Sequence, residues 1–475
     1  MIEILSRRRR NWVRRPAIRA PDDGRTDWFA GGADPRHLGS GRHPARSAGF
    51  RTFCRARACF RTILVAVAAS TIAWTALPAE EIPTASPEDV GMSSERLLEI
   101  DAVIKRHIDS GEIQGAVTAV ARRGRVVHFE AYGLMDVERA RPMEKDSIFR
   151  MASSSKPVLG VAAMMMIEEG LFDPADEVAK YLPEFADMQV AVLKEPADED
   201  VSPAFAAPGQ APEHRLVPAK RRITIHDLLT HTSGLGSYGL GTAVAGLPEL
   251  GPEDTLATRV PQYASMPLDF QPGSQWGYSP RIGHDVVARI IEIVSGTPYD
   301  EFLRKRIFEP LGMKDTHFFL PPEKEPRRVV IHGLDGKSKG WDKPSRYPSA
   351  SGGLSSTADD YLRFEQMLAN GGELFGNRIL SAESVARMTS NQVGDLYGGK
   401  GKQPGSGFGY AVSVVLDPVA AKSARGKGSF GWGGAFGTVS WTDPANEITA
   451  VLMVQQGTKD GTSAFEQAIR DAIVE

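Results

Sequence analysis

Two strand-length apolar blocks stand at opposite ends of the chain, and few folds reconcile them. Near one end, Ala116–Ala121 and Arg125–Tyr132 flank a turn at Arg122-Arg123-Gly124, the pattern of a hairpin. Near the other, Gly437–Asp443 and Glu447–Gln455 flank the turn Asp443-Pro444-Ala445-Asn446. A helix is predicted before the first pair, over Ser93–Ser110, with Leu97, Ile100, Val103, Ile104 and Ile108 at helical spacing. A second helix, Ser463–Val474, closes the chain. Between the blocks lie about 300 mostly helical and loop residues. The economical solution is an α+β fold: one antiparallel sheet built from both termini, flanked by helices, with a mostly helical insertion.

Charge and cysteine are unevenly distributed. Residues 1–62 hold fifteen Arg, no Lys and five acidic residues, and the remainder carries 41 Lys and Arg against 54 Asp and Glu. An acidic body does not suit nucleic acid, whose phosphates need clustered cations, so no nucleic-acid partner is expected. The only cysteines, Cys54 and Cys59, fall in the basic stretch. The body therefore has no disulfide, no thiol nucleophile and no cysteine zinc site. No His-Glu-x-x-His spacing points to a metal, and no Gly-x-Ser-x-Gly to an α/β-hydrolase.

Ile63–Leu77 is an uncharged run of fifteen residues, short for a membrane span. Arg55, Arg57 and Arg61 precede it, and Leu77-Pro78-Ala79 ends it. That order of basic, apolar and small residues is the pattern of a secretory signal peptide; an uncleaved anchor is the alternative. Residues 1–62 are expected to be an unstructured basic extension, for which a mis-called start is the simpler account, and 63–79 the apolar leader. Export to the periplasm or medium follows, with membrane contact only through that segment. The 396 residues from Glu80 to Glu475 suffice for one large domain. Glu195–Arg222 and Gly394–Gly409 are expected to be long surface loops.

Within the body, Phe149–Gly160 has the sequence FRMASSSKPVLG. Ser153 and Lys156 are three apart and share one face of a helix. Pro157 is tolerable only in a first helical turn, which puts Ser153 at the positive end of a helix dipole. A serine hydroxyl is a weak nucleophile that needs an adjacent base, and an unprotonated lysine serves when burial lowers its pKa. The spacing equally suits a capping serine and a solvated lysine, so alone it leaves both readings open. Three later segments bear on the choice: Ile223–Leu235 (ITIHDLLTHTSGL), Tyr278-Ser279-Pro280 before an amphipathic helix over Gly283–Ser295, and Gly431-Trp-Gly-Gly-Ala-Phe-Gly437 leading into a strand.

These motifs, in this order, resemble the serine β-lactamase and penicillin-binding-protein superfamily, within it the class C branch, and most of all the family VIII carboxylesterases. The resemblance implies a β-lactamase/DD-peptidase-like fold over residues 80–475 and a cofactor-free serine hydrolase. It implies Ser153 as acyl-accepting nucleophile, Lys156 as its base, and Tyr278 as a partner in proton transfer. The backbone N–H groups of Ser153 and Ala435 become the oxyanion hole, and Trp432, Gly433 and Gly434 the substrate-binding strand. Two departures from the β-lactamase pattern stand out. Pro280 replaces the usual asparagine, and Trp432 replaces the usual cation. Both favour a small neutral ester over a β-lactam or D-amino-acid peptide, with acyl transfer to another acceptor also open. His231 is expected to brace its loop, and Met164–Met166 to pack in the core.

Overall fold

The computed structural model describes residues 80–474, apart from 196–210, 248, 332–344, 399–402 and 458–459. The basic extension and the apolar run Ile63–Leu77 lie outside the described residues. In chain order the elements that frame the site are α1 (Ser94–Asp109), β1 (Gly115–Arg122), β2 (Arg125–Asp136), β3 (Arg141–Pro142), α2 (Lys156–Glu168), α3 (Gly283–Ser295) and α4 (Ala358–Ala369). They are followed by β4 (Ser406–Phe408), β5 (Ser413–Val415), β6 (Phe430–Gly433), β7 (Val439–Asp443), β8 (Ile448–Met453) and α5 (Gly461–Ala472).

The strands form one antiparallel sheet in the order β4-β5-β6-β7-β8-β1-β2-β3. The last strand thus pairs with the first, Val117 opposite Met453 and Arg122 opposite Ile448. Arg123 and Gly124 turn the β1–β2 hairpin, both at positive φ (52° and 71°), as a tight two-residue turn requires.

Alternation along β1 sends its side chains to two cores. Ala116 and Val120 face α1 and α5, which bury Leu97, Ile100, Val103, Phe465 and Ile469. Val117, Ala119 and Ala121 face the larger core, which holds Met164, Met165 and Met166 of α2 and Tyr361 and Phe364 of α4. Because both faces are covered, β1 is buried throughout. Ser93 caps α1 by accepting from the Arg96 N–H.

Several local expectations change. Ile223–Leu235 is helical only over Ile225–Leu229, started by a Thr224–Asp227 capping box; the remainder is loop, with His231 at φ 60°. The Glu195–Arg222 stretch contains a strand, His214–Pro218, paired with Gln189–Leu193. Gly394–Gly409 ends in the edge strand β4. Both strands draw their order from backbone pairing with a neighbour, which a polar or glycine-rich sequence does not advertise.

Candidate active site

Ser153 sits in a 3-10 turn, Ala152–Ser155, that runs straight into α2. Ala152 at φ 44° places a non-glycine residue in the left-handed region, a strain often held at functional sites. Pro157 occupies the first turn of α2, where a missing N–H costs nothing. The Met151 N–H donates to the Leu354 carbonyl, and the Tyr361 hydroxyl to the Ser154 carbonyl. The turn is therefore held from two sides.

Lys156 is completely buried. Its Nζ lies 3.4 Å from Ser153 Oγ and donates to the carbonyls of Pro280 (3.1 Å) and Ser351 (2.6 Å). Burial brings the ammonium pKa down to about 7, against an opposing pull from the Asp285 carboxylate. A neutral amine has two N–H bonds and one lone pair. Two carbonyls take the N–H bonds, which leaves the lone pair for the Ser153 hydroxyl.

Tyr278 closes the group from the loop before α3. Its ring centroid is 5.0 Å from Lys156 Nζ, and its hydroxyl, on which the Ser153 hydroxyl acts electrostatically, accepts from Trp432 Nε1–H at 3.5 Å. Burial pushes the phenol above its ordinary pKa, so it stays protonated and able to donate. His231 braces this loop as expected: its Nδ1 accepts from the Ser279 N–H at 3.2 Å and its carbonyl from the Gly277 N–H. Burial holds the imidazole well below its usual pKa, which suits an acceptor and not a cation.

The late motif differs from a simple lead into a strand. Trp432 and Gly433 already belong to β6, and Gly434–Thr438 turns back into β7. The Gly434 N–H donates to the Thr438 carbonyl, and Thr438 Oγ1 donates to the Met151 carbonyl at 3.1 Å. Among the described residues no protein group accepts from the N–H of Ser153 or Ala435, leaving both available to an oxyanion. At Gly434 a Cβ would run into the Met151 carbonyl and Thr438 Oγ1. Its bareness lets the strand end seat on the serine turn. At Gly433 the nearest atom to a Cβ would be the Thr438 carbonyl oxygen, 3.3 Å away.

Beside the group, Trp276, Tyr278, Tyr397, Phe408 and Trp432 interlock at ring separations of 4.6 to 6.2 Å. The motifs did not point to two further features. One is Asp285 on α3, buried, with Ser351 N–H, Tyr347 hydroxyl and Ser349 hydroxyl donating to it at 2.8 to 3.1 Å. The other is the Tyr347–Leu354 segment, which supplies the Ser351 carbonyl. The available signal was a carboxylate in an otherwise apolar helix start, beside Val286, Val287, Ile290 and Ile291.

The family pattern described as Beta-lactamase matches residues 100–473, and the chain belongs to that family. An uncharacterised protein of Mycobacterium tuberculosis is 35% identical over 377 residues, covering 74% of this chain and 88% of that protein. Esterase EstB of Burkholderia gladioli is 30% identical over 424 residues, 82% of this chain and 97% of its own. Among solved structures, EstCE1, described as a hydrolase with promiscuous acyltransferase activity, superposes with a TM-score of 0.63 at 26% identity, covering 80% of this chain and 99% of EstCE1. Fold, family and the Ser153–Lys156 pair define a serine hydrolase of the esterase-like branch.

Proposed function

We propose that this enzyme cleaves small neutral carboxylic esters through an acyl-enzyme on Ser153, working outside the cytoplasm after loss of its leader. The observation that carries the mechanism is Lys156: buried, held by two carbonyls, and within reach of Ser153 Oγ. Neutral Lys156 takes the Ser153 proton as Oγ attacks the ester carbonyl. The resulting oxyanion is received by the N–H groups of Ser153 and Ala435, and each such donor is worth roughly 10²–10³ in rate. Tyr278 then gives its proton to the departing alkoxide, and water attacks the acyl-enzyme by the reverse route.

Support for a neutral ester comes from Trp432 and Pro280, which offer no cation and no side-chain amide, and from the uncharged aromatic cluster that Trp432 joins. The name of the relative EstB agrees. Support for export is the order of basic, apolar and small residues over Arg55–Ala79. Acyl transfer to an alcohol other than water is the second reading, favoured by the description of EstCE1.

The test is covalent. A fluorophosphonate should add once, at Ser153, and Ser153→Ala should lose both the label and at least ~10³-fold of p-nitrophenyl butyrate turnover. Near-normal turnover by Ser153→Ala would reject the assignment.

A further inference from the structure

Proton abstraction turns Lys156 into a buried ammonium, and the only negative charges the mechanism above sets against it are transient, on the reacting ester and then on Tyr278. Among the described residues one carboxylate acts on it electrostatically, Asp285. The two are joined by a single peptide unit: Lys156 Nζ donates to the Ser351 carbonyl at 2.6 Å, and the Ser351 N–H donates to Asp285 Oδ1 at 2.8 Å. Tyr347 and Ser349 also donate to Asp285, and the Tyr263 and Tyr347 hydroxyls sit 3.1 Å apart behind it. Such a set of donors is built to stabilise a carboxylate ion away from water. No arginine or lysine forms an ion pair with Asp285 among the described residues. Burying a carboxylate at that depth without a permanent cation is costly, unless a cation arises beside it during turnover.

We propose that Asp285 is a positioning residue for the base, fixing the Ser349–Ser351 backbone against Lys156 and supplying the counter-charge for the ammonium formed when Ser153 is deprotonated. The proposal rests on the acyl-enzyme reading above. Its chemistry is balanced: the hydroxyl proton moves from Ser153 Oγ to Lys156 Nζ, the Oγ electron pair forms the new bond to carbon, and the carbonyl electron pair becomes the oxyanion. Asp285 exchanges no proton and changes no bond.

The surroundings leave the pair electrically isolated. The titratable groups facing Lys156 are Ser153's partner Tyr278 and the imidazoles of His231 and His284; burial keeps both histidines neutral. Those facing Asp285 are Tyr263, Tyr299 and Tyr347, all held protonated by burial and by the carboxylate itself. Burial lifts Asp285 only to about 6, so it is ionised where the enzyme would work.

Charge and structure are separable by pH. Asp285→Asn keeps an oxygen for the Ser351 N–H and removes the charge. The negative charge favours the ammonium form of Lys156, and so its loss should move the acid limb of kcat/KM to lower pH by at least half a unit. The limiting kcat/KM on p-nitrophenyl butyrate should fall by roughly two- to threefold, because a base weaker by about half a unit is left. An unmoved limb, with or without a lower plateau, overturns the proposal. If Asp285→Asn does not fold, Tyr347→Phe takes its place. Removing one donor weakens the carboxylate ion and should move the limb in the same direction by less; no movement again overturns it. Fluorophosphonate labelling of the unmodified enzyme keeps the two readings apart. Absence of label at Ser153 defeats the acyl-enzyme itself, whereas a labelled enzyme with an unmoved limb defeats only the role of Asp285.

Discussion

Gly434→Ala is a test of how the two halves of the site are joined. A Cβ on residue 434 would lie well inside 3.0 Å of both the Met151 carbonyl oxygen and Thr438 Oγ1, where ordinary contact starts at 3.4 Å. One obstacle is backbone and the other is a hydroxyl bonded to that same carbonyl, so neither can swing aside like a long side chain. The strand end and the serine turn must separate by roughly 1 Å, a displacement that can cost about 10²-fold in rate. That is about 2.7 kcal/mol of transition-state stabilisation. Overpacking on this scale costs about 1–3 kcal/mol of stability, which a domain of this size tolerates. The assay is kcat/KM on p-nitrophenyl butyrate with far-UV circular dichroism on the same samples. Gly251→Ala serves as the control, since its nearest foreign atom would be the Asp254 carboxylate at 3.5 Å. A folded Gly434→Ala enzyme within threefold of the unmodified one would refute the claim that this contact sets the oxyanion geometry.

Lys156, brought to about 7 by burial, must be neutral to act. Below that pH the inactive ammonium accumulates, and kcat/KM should drop about tenfold per unit between pH 6 and 5; a profile flat down to pH 5 contradicts the lysine base. In the same assay, p-nitrophenyl butyrate should exceed a chromogenic cephalosporin by at least ~10² in kcat/KM, because a β-lactam's carboxylate and amide would go unpaired beside Trp432 and Pro280. Trp432→Lys should narrow that ratio. It is a cleaner change than Pro280→Asn, which also loosens the peptide whose carbonyl holds Lys156. Parity between the substrates on the unmodified enzyme would favour the β-lactamase reading.

What could be foreseen depended on whether a role resides in a side chain or in backbone. The roles proposed for Ser153, Lys156, Tyr278 and Trp432 rest on side-chain chemistry that their identities announce, and the structure brings all four side chains together. The sheet was visible because β1 and β8 are short, largely apolar runs, buried along their whole length, each beside a turn and a second strand-length segment. By contrast, Ser351 contributes a carbonyl, which every residue possesses, and Pro280 was judged by the amide it lacks while its carbonyl holds the lysine. The close approach of Gly434 to the Met151 carbonyl could not be foreseen either, since nothing local reveals a contact with a residue so far away in the chain. The edge strands β4 and β5, three residues each, are too short to carry a periodic signal.

The pairing of β1 with β8 also dictates an order of events during synthesis. The ribosome delivers Ser153 and Lys156 early, yet Trp432 to Ala435 and the neighbour of β1 emerge only near the end. Until then the β1–β2 hairpin presents an open, apolar ladder, the kind of edge that pairs with whatever strand it meets. High-separation pairing is also slow to close. A partly made chain of this topology therefore holds Ser153 and Lys156 without the strand end that carries Ala435, and with an edge open to aggregation. On the mechanism proposed above, hydrolysis would begin only once these last strands have closed against β1 and the serine turn.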